Sequence, residues 1–130
     1  MKLARDPEDV HPPLAAYVHQ IELRGAERLL VLSGQVGVRP DGSLPGDPVE
    51  QLDVAWDNLD RNLRAAGMGT ADLVKVTLYL VGDIDAGARR EVIARHLGDH
   101  RPCMTLVVPA ALATPQIRVE LDAWASRSDD

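Results

Sequence analysis

The sequence contains no Phe, and its only aromatic residues are two Trp and two Tyr. Leu, Val, Ile and Ala must therefore build the core. Cysteine is nearly absent: Cys103 stands alone, which excludes an intrachain disulfide and any metal site made of several thiolates. Cations are outnumbered. The formal charge is −6, and Arg89-Arg90 is the only basic doublet. Binding a phosphate backbone takes several convergent cations, so nucleic acid is not an expected partner. Long apolar runs are missing too. The first ten residues are charged where a secretory signal would be apolar, and nothing approaches the length of a membrane span. The expectation is a cytoplasmic protein that does not engage membranes.

What is present suits one domain. A chain of 130 residues that is 45% hydrophobic can bury a core without staples. The domain is expected over residues 12–126, with flexible segments at 1–11 and 127–130.

Periodicity predicts the elements. Residues 14–23 read as a strand in which Tyr17, His19 and Ile21 share a face. Leu29-Leu30-Val31-Leu32 reads as a buried strand ending at Ser33-Gly34-Gln35. A helix start follows the Pro45-Gly46 turn: Asp47 as cap, Pro48 in the first turn, then Leu52, Ala55, Trp56, Leu59 and Leu63 at helical spacing, with Gly67 as terminator. Residues 73–81 alternate strictly, with Val74, Val76, Leu78 and Leu80 on one side. A second helix is expected over 84–97, capped by Asp83 or Asp85 and ended by Gly98. Two more strands follow, one at 104–108 and one in which Val119, Leu121 and Ala123 alternate with Glu120, Asp122 and Trp124. The order predicts an α+β fold, one mixed sheet packed on two helices. Two helices cover one face of such a sheet, so the other face should be buried by oligomerisation.

Four segments, in order, carry a family resemblance. They are Ser33-Gly34-Gln35-Val36 with Pro40, Gly42, Gly46, Asp47 and Gln51; Asn58-Leu59 through Ala65-Ala66-Gly67 to Asp72-Leu73-Val74-Lys75; Arg101-Pro102; and Val119-Glu120-Leu121-Asp122-Ala123. Over residues 14–125 the chain resembles the Rid family of imine and enamine deaminases, the YjgF-like group once labelled L-PSP endoribonuclease-like. The resemblance implies a chorismate-mutase-like fold, a homotrimer with inward-facing sheets, small-molecule pockets between subunits, and no metal or organic cofactor. It places Tyr17 and Gly34 at the pocket and makes Glu120 the acid that positions or protonates the attacking water. The catalytic members read Pro-Ala-Arg-Ser where this chain reads Pro102-Cys103-Met104-Thr105. Their Arg holds the substrate carboxylate, and Met104 stands in its place. Leu106 replaces a smaller residue, and Arg90 replaces an Asn of the second helix.

Met cannot supply the charge or the forked geometry of a guanidinium. Efficient hydrolysis of 2-aminoacrylate is therefore not expected, whereas Glu120, shielded by Met104 and Leu106, keeps imine hydrolysis open. The alternative reading of Glu120, as a salt-bridged or solvated strand residue, is set below the pocket role because of its position in the resemblance. Arg118, two residues away and expected on the same sheet face, either replaces the missing cation or pairs with Glu120. Arg101 stands at an odd offset from Met104, and strict strand alternation would point it away. His19 reads as a hydrogen-bonded histidine. The His96–His100 spacing of four lacks a supporting carboxylate motif, so metal binding is not expected. Cys103 reads as a small buried hydrophobe. Two other functions remain: a non-catalytic metabolite-binding trimer, and an endoribonuclease, which the negative charge disfavours.

Overall fold

The computed structural model describes residues 1–129. The elements are β1 (Lys2–Arg5), β2 (Gln20–Leu23), β3 (Glu27–Val36), α1 (Pro48–Ala65), β4 (Leu73–Leu80), α2 (Ala86–Leu97), β5 (Cys103–Val107) and β6 (Val119–Ser128), with one 3-10 turn at Thr70–Asp72. The main sheet has four strands in the order β3-β6-β4-β5, and β1 and β2 form a separate antiparallel pair. β6 runs antiparallel to both neighbours, while β4 and β5 are parallel because α2 crosses over between them. This is the expected α+β arrangement, a mixed sheet with two helices.

The first helix begins and ends as its sequence signals. Asp47 is extended, and its carboxylate accepts a hydrogen bond from the Val49 N–H at 3.2 Å. At the other end Gly67 takes φ +71°, and Met68 N–H reaches Leu63 O while Gly67 N–H reaches Arg64 O. That paired closure needs a left-handed residue, which glycine adopts without a Cβ clash. Leu52, Ala55, Trp56, Leu59 and Leu63 are fully buried against Leu73, Val76, Leu78, Leu80, Leu121 and Ala123. Burying each large aliphatic side chain contributes about 1.5–3 kcal/mol, so this helix–sheet layer dominates stability. Gln51 is the polar exception inside it, only 1% exposed. Its amide donates to Pro45 O and Gln116 O and accepts from Arg118 N–H, all at 2.9 Å. One side chain thereby ties both loops flanking the sheet to the helix.

Several expectations change. Lys2–Arg5 is not frayed but pairs with Gln20–Leu23, and the Met1 ammonium rests on Arg24 O and near Glu27. The strand expected over 14–23 is confined to its last four residues. Upstream, the backbone finds other partners: Leu14 N–H donates to the Tyr17 hydroxyl, Val18 N–H to Pro102 O, and His19 N–H to Asp6. Leu29 and Val31, read as buried, are 52% and 58% exposed, because β3 shows only alternate residues to the helices. At the C-terminus Arg127 and Ser128 belong to β6 rather than to a flexible tail, and Asp130 of that expected tail lies outside the described residues. α2 starts two residues later than expected, with Asp85 capping Ala88 N–H.

Candidate functional site

The two faces of the sheet carry different chemistry. On the face away from the helices, Glu120 stands opposite Val36 on one side and Tyr79 on the other. Between Leu32 and Gln35 the β3–β6 register shifts, so Ser33 and Gly34 together oppose Asp122. Such a bulge re-aims side chains. Here it places the Glu120 carboxylate directly over Gly34, where a Cβ would meet Glu120 Oε1 at 2.5 Å. Glycine is needed at this position for the space it leaves, not for a left-handed backbone. Beside Glu120, the Tyr79 hydroxyl donates to Asp122 at 2.9 Å. That hydrogen bond, with burial and the charges of Asp122 and Glu120, pushes the Tyr79 phenol above its ordinary range. Tyr79 is thus held as a proton donor. Lys75 and Thr77 also lie on this face, and toward β3 Leu29, Val31 and Trp124 make an open apolar patch, the last 44% exposed.

Met104 and Leu106 lie on the other face. β5 pairs Met104 with Val76 and Leu106 with Leu78, both on the helix side. There a cavity of about 450 Å³ opens between β5, α2 and the 14–17 segment. Tyr17, Leu78, Ile93, Leu97, Met104 and Leu106 line it, together with Arg89, Arg90 and Arg101. Its size falls within the range of small-molecule sites. Tyr17 is held by the hydrogen bond its hydroxyl accepts from Leu14, which leaves the hydroxyl proton free to donate.

The expected site residues therefore form two groups. Tyr17, Met104 and Leu106 share the cavity, and Gly34 and Glu120 touch each other on the opposite face. Within one subunit Met104 and Leu106 do not shield Glu120, because strand alternation puts even-numbered residues of β5 and of β6 on different sides. Arg118 does neither of the things expected of it. Its guanidinium donates to Val81 O and Asp83 O, closing over the Gly82 turn. It precedes β6, so strand parity with Glu120 does not govern it. The same reason corrects Arg101, which precedes β5 and turns toward Met104's cavity while donating to Gly98 O and His100 O.

The histidines separate as well. His19 bonds His11 O and packs edge-on against Tyr17. His100 bonds Leu73 O. His96 instead stacks on Trp56 and bridges Asp53 at 2.7 Å and Asp60 at 3.3 Å. Burial alone would lower the His96 pKa, but its hydrogen bonds to Asp60 and Asp53 and their charges outweigh it and raise the value. Donor atoms of Asp53, Asp57 and His96 lie within 4.8 Å of one another, an association of helix faces that no sequence spacing announced. Cys103 is half-buried, and burial pushes its thiol up, away from nucleophilic chemistry. No helix among the described residues is long and apolar enough to cross a membrane. Strand parity already set Asp122 on the face of Glu120, and the same parity could have placed Tyr79 there; Arg89, also without an expected role, stands four residues before Ile93, one turn along the same helix face.

Comparison with known proteins follows the same outline. The family model described as Endoribonuclease L-PSP matches residues 8–127. The mouse 2-iminobutanoate/2-iminopropanoate deaminase is 34% identical over 101 residues, covering 76% of this chain and 74% of that one. The Rid-family protein YyfB of Yersinia pestis superimposes with a TM-score of 0.83 at 27% identity, covering 95% of this chain and 97% of its own. Escherichia coli TdcF with bound serine does so with a TM-score of 0.71 at 27% identity, covering 95% and 94%. The chain belongs to the L-PSP endoribonuclease family, the Rid/YjgF group that includes these deaminases.

Proposed function

We propose that this chain is a homotrimeric small-molecule protein that hydrolyses imines with Glu120 and water, in pockets completed between subunits. The observation that carries this reading is the separation of the cavity from Glu120 onto opposite faces of one sheet. In a closed ring each subunit presents two different surfaces to its neighbours. The cavity edge of one copy can then meet the Glu120 face of the next, where exposed Leu29, Val31 and Trp124 offer an apolar contact. Kinship to an imine deaminase, and to TdcF with its bound serine, supports a small nitrogen-bearing ligand.

In the proposed reaction a water held by Glu120 adds to the C=N carbon. Glu120 accepts the proton of that water and returns it to nitrogen. Glu120 then takes the proton of the carbinolamine hydroxyl and passes it to nitrogen as the C–N bond breaks, so ammonia or an amine leaves and a carbonyl compound remains. Such proton transfer contributes about 10²- to 10⁴-fold.

The test uses imines generated in situ by an amino-acid oxidase, with their loss followed by semicarbazide trapping. Glu120→Ala should abolish the acceleration given by the native chain. Equal behaviour of the two for every imine tried would refute catalysis. Native mass should show three copies of the 14.1 kDa chain, and a monomer would refute the shared pocket. A second reading, ligand binding without turnover, is favoured by Met104 in the cavity. Tight binding by thermal shift with no imine loss would establish it.

A further inference from the structure

The cavity's charge is at odds with that of the chain. Acidic residues outnumber basic ones twenty to fourteen, yet no Asp or Glu lines the cavity and three Arg do. Arg89 and Arg90 project from α2 four and three residues before Ile93, so they straddle the apolar row Ile93–Leu97 that forms one wall. Neither side chain makes a hydrogen bond or ion pair with another described residue. Arg101 enters from the turn after α2, and its donation to Gly98 O at 2.7 Å and His100 O at 3.0 Å fixes the guanidinium at the rim. Opposite them, Leu78, Met104 and Leu106 give an apolar floor. Arg118, the other cation considered for this task, is engaged by Val81 and Asp83.

We propose that this cavity takes a small amphipathic anion, a carboxylate on an apolar body, whose head is held by Arg89, Arg90 and Arg101 while its body lies on Met104 and Leu106. The proposal rests on the reading of the cavity as the ligand site. It adds that the anion clamp sits on α2 and the turn after it, not on β5. Three guanidinia with no acid among them repel one another when the cavity is empty, and an anion relieves that repulsion. Placing Met at the floor has a consequence for selectivity. A cation on β5 would hold the carboxylate against the strand, whereas an apolar floor places a longer aliphatic body there and moves the head to the helix.

The experiment compares hexanoate with hexanamide, probes of nearly equal shape, by calorimetric titration of the full-length protein in its native assembly. The expected result is at least tenfold tighter binding of hexanoate at low salt, with the preference shrinking as ionic strength rises. Arg89→Gln/Arg90→Gln should bring the preference below threefold and leave hexanamide binding within twofold of the native protein. Arg90→Lys, which keeps the charge, should retain most of it. Equal affinity for the two probes in the native protein overturns the proposal while leaving the cavity a ligand site. Binding of neither probe overturns both. A preference unchanged in the double variant, or dissociation of that variant into monomers, assigns the guanidinia to another task and overturns the clamp.

Discussion

Adding one methyl group at Gly34 and at Gly37 should give opposite kinds of damage. At Gly34 the methyl would meet Glu120 Oε1 at 2.5 Å and Cδ at 2.7 Å. Ordinary contact begins at 3.4 Å, so the carboxylate must retreat by about 0.9 Å (3.4 − 2.5). The obstacle is the end of a flexible side chain, and moving it off its rotamer costs about 0.5–1.5 kcal/mol. At Gly37 the methyl would stand 2.7 Å from both Gln51 Cα and Gln51 O. That is helix backbone, and α1 cannot yield without loosening the three hydrogen bonds of Gln51. Overpacking of this kind costs about 1–3 kcal/mol, and the rigid neighbour puts Gly37→Ala at the upper end. Urea denaturation at one fixed protein concentration reads both costs. Gly34→Ala should remain near the native midpoint yet match Glu120→Ala in the imine assay, since misplacing a reacting group by about 1 Å can cost 10²-fold. Gly37→Ala should lose stability first. If Gly34→Ala is the more destabilised of the two, the assignment of what each methyl meets is wrong.

Gln51→Leu should destabilise by about 2–4 kcal/mol in the same denaturation measurement, because it leaves two carbonyls and one N–H without their partner; a change under half of that would mean the loops re-pair on their own. His96 has a folded pKa raised above its ordinary value, so its contribution is complete below pH about 6.5 and is lost as pH rises through the raised folded value. Stability should therefore decline across that interval in the native chain and be flat in His96→Gln; parallel pH profiles would contradict the bridge to Asp53 and Asp60. Val31→Glu places a charge on the open apolar patch and should dissociate the proposed trimer without unfolding the chain, which native mass and circular dichroism would record; a trimer left intact would place the interface elsewhere.

The elements that could be read from sequence are those whose signals are local. The first helix announces its cap, its apolar stripe and its glycine stop within residues 47–67, and each is realised. The alternation of residues 73–80 needs no partner to be recognised and appears as a strand buried on one side. The 14–19 segment failed because its backbone groups bond to Tyr17, Asp6 and Pro102 rather than to a strand, contacts that lie outside any periodic pattern. Strand parity misled at Arg101 and Arg118 because both stand just before a strand begins, where alternation has no hold.

The sequence by itself determined the α+β class, the family and the identity of the residues at issue: Tyr17, Gly34, Met104, Leu106 and Glu120. Motif order and local periodicity are properties of the chain as written. Only the tertiary structure decided how those residues group. The parallel register of β4 with β5 turns Met104 toward α2, and the antiparallel register of β6 turns Glu120 to the other side. The placement of α2 beside β5 then gathers Arg89, Arg90 and Arg101 around the cavity that Met104 lines. Register and helix placement are set by long-range burial, and no single stretch of sequence carries them.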